Sequence, residues 1–387
     1  MINDHEIDLL CLLRPELASS AQQERKCHTK GMMAMLAVLT ALTIATAAAS
    51  PTVVSIGGSS TQPRWLINGE PTAAGSAAEG LLLNARLIQA VFDDGNASTR
   101  HNWRYPDTGK WDPDRNTDEF IGNLSSWRAA GLTAFTVGLQ GGSPHCYGNP
   151  ESWTVSAFRP DGTLDAAWLR RLLRVLIAAD QHGMVVIVQW FYYAQFALLE
   201  PAAVPAAATA ITEWLAALPL SNFLIEVYNE QCGDKPITPL GLTIVDLIGI
   251  VHNASATRRQ RQGLGKLMAS ASCGGGGIPS PAVVGAADFV LLHGNGQTPA
   301  KVAKMVATVR SMPVFAAAPK PIVFNEDDHG HLAQNDNESA PRSNLAAAVG
   351  ANASCESASK QPSQNLSRNQ SLSVSSHFCP PKRSCRW

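Results

Sequence analysis

Through the middle of the chain, short apolar runs alternate with longer stretches in which apolar residues recur every three or four positions. The runs at 81–92 (LLLNARLIQAVF), 132–139 (LTAFTVGL), 184–193 (MVVIVQWFYY), 222–229 (NFLIEVYN), 266–272 (KLMASAS), 288–294 (DFVLLHG) and 320–326 (KPIVFNE) predict strands. The amphipathic stretches at 116–131, 164–183, 203–218, 242–255 and 299–312 predict helices, with Asp165 as a start signal and Gly131 and Gly183 as stops. Parallel neighbours need a crossover, and helices make the shortest one, so this alternation predicts an α/β fold with a parallel sheet. The repetition from Ile56 to Gly330 fits a (β/α)8 TIM barrel better than a doubly wound sheet, with the domain placed at 56–343. Seven strands leave such a barrel without a normal eighth. From Asn344 the pattern stops, and the Ser-, Asn- and Gln-rich stretch 344–387 predicts a disordered or aberrant tail.

The amino-terminal pattern differs again. Arg25, Lys26 and Lys30 close an extension at 1–31 and precede an apolar run at 32–49 that ends in small residues, the pattern of a signal peptide or an uncleaved anchor. The expectation is a secreted or extracellular glycoprotein, the alternative being anchorage to a membrane by 32–49. Sequons at Asn96, Asn123, Asn253 and Asn365 are compatible with export. Of the eight cysteines, Cys11 and Cys27 precede the apolar run; Cys146, Cys232, Cys273, Cys355, Cys379 and Cys385 follow it, with no metal-type CxxC among them. Six cysteines allow fifteen pairings, and the sequence selects none.

Composition narrows the function classes. With 45% apolar and 16% charged residues the chain can bury a large core, and a formal net charge of −1 without a basic stripe argues against a nucleic-acid partner. The glycine-rich CGGGGIPS at 273–280 lacks both GxGxxG spacing and a Lys-Ser/Thr, so no nucleotide cofactor is expected. A monomer acting without a cofactor is the expectation.

The candidate chemistry lies where strands end. In a parallel barrel the reacting groups collect at the C-terminal ends of the strands. Glu230 follows the fourth predicted strand and Glu326 ends the seventh, each preceded by Asn (Asn229, Asn325). These two strands face each other across a barrel, so their carboxylates can share one pocket. Two carboxyl groups suit glycosidic-bond cleavage, one protonating the departing oxygen while the other attacks the anomeric carbon or activates water.

At these residues the chain resembles the clan A glycoside hydrolases, the cellulase-like, family 5 type barrels. WLINGEP, GLTAFTVGLQGGSP, FVLLHGNG and PIVFNEDDH are similar to blocks of a little-characterised branch of that group, over roughly Trp65 to His331. The resemblance implies that Glu230 is the acid/base, that Asn229 binds a sugar 2-hydroxyl and that Glu326 is the nucleophile of a retaining reaction. Clan A barrels normally close with an eighth strand, which is missing here at its expected place.

Further candidates follow from position. Trp190 and Tyr192, with Phe191 and Tyr193, crowd the end of the third strand and could stack on a sugar ring. His293 and Asn295 end the sixth strand beside the nucleophile or substrate. Glu226 shares parity with Glu230 and, inside a barrel, needs a partner, which Arg86 is expected to supply. Asp93 and Asp94, closing the first strand, are expected to bind sugar hydroxyls, with Gln140, Gly141 and Gly142 below them. Glu326, Asp327, Asp328, His329 and His331 are all metal-ligand types, but consecutive residues on an extended chain point to alternate sides. Beside the glycosidase two alternatives stand, a catalytically inactive carbohydrate-binding barrel and a metal-dependent hydrolase.

Overall fold

The computed structural model describes residues 51–141, 154–193 and 195–326. The extension at 1–31, the apolar run at 32–49, Gly142, Cys146, the cluster from Asp327 to His331 and the tail at 344–387 lie outside the described residues. Among those described, no helix is long and apolar enough to cross a membrane.

The structure opens with an antiparallel ribbon that the sequence patterning did not predict: β1 (Val54–Gly58), β2 (Pro63–Ile67) and β3 (Glu70–Pro71). Its second turn is Asn68-Gly69, both at positive φ (54° and 83°), the conformation a two-residue hairpin needs to match strand twist. The ribbon docks on the main sheet through the bond from Val54 N–H to the Ser221 carbonyl (2.9 Å).

Seven parallel strands follow among the described residues. Five form one sheet in chain order: β4 (Asn84–Arg86), β5 (Ala134–Gly138), β6 (Val185–Tyr192), β7 (Phe223–Asn229) and β8 (Ala269–Ser270). The other two, β9 (Val290–His293) and β10 (Ile322–Glu326), pair with each other. The expected barrel is therefore not a continuous hydrogen-bonded cylinder, and no eighth strand is present among the described residues. One backbone bond, Asp288 N–H to the Ala269 carbonyl (2.9 Å), links β8 to the segment entering β9. Between β10 and β4 the Asn84 side-chain amide donates to the Phe324 carbonyl (2.9 Å). The strands still share one interior: Leu82, Ala134, Val185, Ile187, Leu224, Phe289, Leu291 and Val323 form a single buried cluster with Val54 and Trp65 of the ribbon. Trp65, 1% exposed, meets Phe289 edge-to-face at 5.5 Å and plugs the end of the interior opposite the strand C-termini.

The helices form where the periodicity placed them. α1 (Pro113–Ala129) is capped by Asp112 and α2 (Ala166–Gln181) by Asp165, each carboxylate accepting two free backbone N–H groups. α3 (Val204–Ala217), α4 (Ile244–Arg261), α5 (Pro281–Ala286) and α6 (Pro299–Arg310) follow, then the short α7 (Pro313–Ala317). The first predicted strand, 81–92, is cut to three residues. Beyond Arg86 the chain turns into a 3-10 segment, Ile88–Val91, whose carbonyls at Gln89 and Ala90 accept from Asn116 and Thr117 of α1.

Candidate active site

Three strand ends bring the acidic groups together. Glu230, just past β7, sits at φ 62°, a left-handed conformation costly for a residue with a Cβ, and its side chain is a quarter exposed. Glu326, the last residue of β10, is 7% exposed. Between them lies His293 at the end of β9, fully buried, with Nδ1 3.3 Å from Glu230 Oε1 and 3.5 Å from Glu326 Oε2. One ligand-type atom from each of the three lies within 4.8 Å of the others.

Glu326 owes its direction to a β-bulge. The β10–β9 register shifts between Phe324 and Glu326, so two residues of β10 face one position of β9. Val323 points into the interior, and strict alternation would send Asn325 inward and Glu326 outward. With the bulge, both reach the site: Asn325 Nδ2 donates to Glu226 Oε2 (2.9 Å), while Glu326 accepts from Asn295 Nδ2 (2.8 Å) and pairs with Arg86 Nε (2.8 Å).

Arg86 ties the floor of the site together. It stands 3.7 Å from Glu226 Oε2 through one terminal nitrogen and donates to Gln189 Oε1 (3.0 Å) through the other. Glu226 is fully buried, and it also accepts from the Ser272 hydroxyl. Burial pushes the Glu226 carboxyl above the usual carboxylate range, against the opposing pull of Arg86, His293 and the Ser272 hydroxyl. Ser272 Oγ in turn accepts the Glu230 backbone N–H (3.1 Å). The Asn229 side chain is fully buried, and neither its nitrogen nor its oxygen has a hydrogen-bond partner.

Thus Glu230, Glu326, His293, Asn295, Arg86 and Glu226 meet in one place, Asn229 precedes Glu230 in register with Tyr192, and four other candidates lie elsewhere. Trp190 is fully buried on the face opposite Gln189, because Gln189 directs its side chain inward to Arg86 and the next residue must point the other way. Tyr192 shares that parity, is 2% exposed and packs beneath Gly141, where a Cβ would come within 2.3 Å of its ring. Neither ring offers an open face for a sugar. Asp94 is also fully buried: Oδ1 accepts from the Asn96 and Thr154 N–H groups, Oδ2 from Thr99 and Trp103. It organises its loop and has no lone pair left for substrate. Asp93 accepts from Trp111 and from the Asp94 N–H, with Arg171 3.8 Å away, and does the same work.

Gln189, Ser272 and Asn325 are site residues that the sequence reading did not single out. Gln189 had a signal, as the one amide within the apolar run VVIVQWFYY. Among the described residues Glu230, His293 and Glu326 also form the cluster best suited to a metal ion. Arg86 beside Glu326 already supplies positive charge there, which lowers the need for a cation.

No family model matches the chain, and no curated protein matches it. Solved structures are similar at low identity. A glycoside hydrolase family 5 structure from Bacteroides vulgatus is 11% identical, the match covering 78% of this chain and 60% of that one at a TM-score of 0.46. A broad-specificity endoglucanase from an uncultured bacterium is 12% identical over 73% of this chain and 87% of its own, at 0.43. Another from Clostridium longisporum is 12% identical over 62% and 78%, at 0.40. At these scores the likenesses assign no activity to this chain.

Proposed function

We propose that the protein is a glycoside hydrolase that cleaves an O-glycosidic bond of a poly- or oligosaccharide with retention of configuration. The observation that carries this reading is the convergence of Glu230, just past β7, and Glu326 of β10, which brings one carboxylate oxygen of each within 4.8 Å of the other. Carboxyl groups about 5 to 5.5 Å apart leave no room for a water beneath the sugar, so one of them must itself be the nucleophile.

Glu326 takes the nucleophile's part. It is buried, oriented from two sides by Arg86 and Asn295, and charged beside a guanidinium. Glu230, more exposed and at the mouth, donates a proton to the leaving oxygen and later takes one from the water that releases the sugar. His293 Nδ1 lies between the two carboxylates and hydrogen-bonds Glu230 Oε1 (3.3 Å). Asn229, beside Glu230, keeps a buried amide without a hydrogen-bond partner, and the resemblance assigns that position to a sugar 2-hydroxyl.

The test is a panel of polysaccharides and aryl glycosides with proton NMR of the first product. Release of sugar with the starting anomeric configuration, abolished by Glu326→Gln, is the expected result. Binding without release in the wild type would favour the inactive barrel. The convergence of Glu230, His293 and Glu326 keeps the metal-dependent reading open to a direct check, since EDTA would then abolish activity and added zinc or manganese would restore it.

A further inference from the structure

The loop carrying Glu230 is held on its β8 side by little regular structure. The β7–β8 ladder pairs only Ile225 with Ala269 and Glu226 with Ser270, and so ends four residues before Glu230. Beyond it the Ser272 N–H reaches the Tyr228 carbonyl (3.3 Å), Ser280 past the glycines donates its N–H to the Cys232 carbonyl (3.0 Å) and its hydroxyl to Asp234, and two attachments flank Glu230 directly. Ser272 Oγ accepts the Glu230 N–H at 3.1 Å, and a disulfide joins Cys232, two residues on, to Cys273, next to Ser272. The two cysteines are 41 positions apart, with Cα atoms 5.0 Å apart, and Cys273 is 2% exposed. After Cys273 the chain runs through four glycines, and a Cβ on Gly274 would stand 3.8 Å from the Glu230 carboxyl carbon.

This arrangement matters because Glu230 is strained. A non-glycine residue at φ 62° persists only where its surroundings over-determine it. A tetraglycine run cannot do that, since glycine is the residue most free to move. Glu326 is anchored independently by Arg86, Asn295 and the β10–β9 pairing.

We propose that Ser272 and the Cys232–Cys273 disulfide are positioning residues that clamp Glu230 in its strained conformation and so set the acid/base carboxyl apart from the separately anchored nucleophile. The inference rests on the retaining reading above. Loss of the disulfide then removes acid/base function while leaving the nucleophile able to react.

The experiment compares the full chain with the double variant Cys232→Ser, Cys273→Ser and, with the disulfide kept, Ser272→Ala. The first readout is hydrogen exchange and needs no activity: peptides over 224–236 are expected to exchange about 10-fold faster or more in the double variant, with those over 320–326 unchanged. Equal exchange at 224–236 overturns the clamp. The second readout is kinetic, on whichever sugar the hydrolysis panel releases. For the natural substrate kcat is expected to fall about 100-fold with KM within about twofold, the scale of a displacement near 1 Å. A dinitrophenyl glycoside, whose leaving group needs no proton, is expected to glycosylate Glu326 at nearly the wild-type rate. Azide should then attack the anomeric carbon, expel the Glu326 carboxylate and give a glycosyl azide of retained configuration. Ser272→Ala should show the same pattern more weakly. Parallel loss on both substrates without an azide effect, or no loss at all, overturns the proposal. If the wild type cleaves no glycoside, the retaining reading fails by itself, and hydrogen exchange still decides whether the disulfide holds this loop.

Discussion

Replacing Arg86 by Met removes the only guanidinium between two buried carboxyl groups at nearly constant volume, and the structure sets the size of the effect. Arg86 Nε is 2.8 Å from Glu326 and a terminal nitrogen is 3.7 Å from Glu226, with all three side chains 7% exposed or less. At an effective dielectric of about 20, the 2.8 Å separation corresponds to roughly 6 kcal/mol of gross attraction to an ionised Glu326, much of it offset by the cost of burying the guanidinium, while burial keeps Glu226 from adding a full charge pair. Breaking a buried pair by removing one partner leaves a net loss of about 3 to 5 kcal/mol near pH 7. Urea unfolding followed by tryptophan fluorescence near pH 7 should show this deficit as a lower midpoint at unchanged slope. A loss below about 1 kcal/mol near pH 7 would refute the reasoning, because the carboxylates would then have found charge or water elsewhere.

Other outcomes follow from single residues. The Glu226 carboxyl is pushed up by burial, so the stability tied to its proton is present below about pH 4.3 and lost as pH rises through its folded value; Glu226→Gln should gain stability relative to the wild type between pH 4 and 7, measured by the same urea titrations. Glu230→Gly should relieve the φ 62° strain and raise stability by about 1 kcal/mol while abolishing glycoside turnover, read by thermal unfolding beside the activity panel. Trp65→Ala opens a hole in the apolar cluster it shares with Phe289 and Val323 and should cost about 3 to 5 kcal/mol in urea unfolding.

The sequence reading and the structure agree where one element decides its own form. All five predicted helices are present because their apolar stripe, caps and stop signals are local, as Asp165 and Gly183 show at either end of α2. Glu230 and Glu326 were legible because a charge directly after an apolar strand is a local contrast. Of the four aromatic residues at the end of β6, Trp190 and Tyr192 are buried while Tyr193 is 47% exposed, and sequence could not supply this division: which face of β6 turns inward depends on Gln189 meeting Arg86 from β4. The contacts of Asp93 and Asp94 were equally hidden, since the indole and guanidinium groups beside them come from loops and helices further along the chain.

By itself the sequence determined a parallel α/β fold, the order of its elements and the two acidic strand ends, because periodicity, capping and charge contrast act over a few residues. Only the tertiary structure decided that Glu326 turns inward through a bulge, that Cys232 pairs with Cys273, and that Arg86 is shared between Glu226 and Glu326. Each of these depends on strands far apart in the chain meeting at a particular register. Register is a property of packed neighbours and cannot be read from either strand alone.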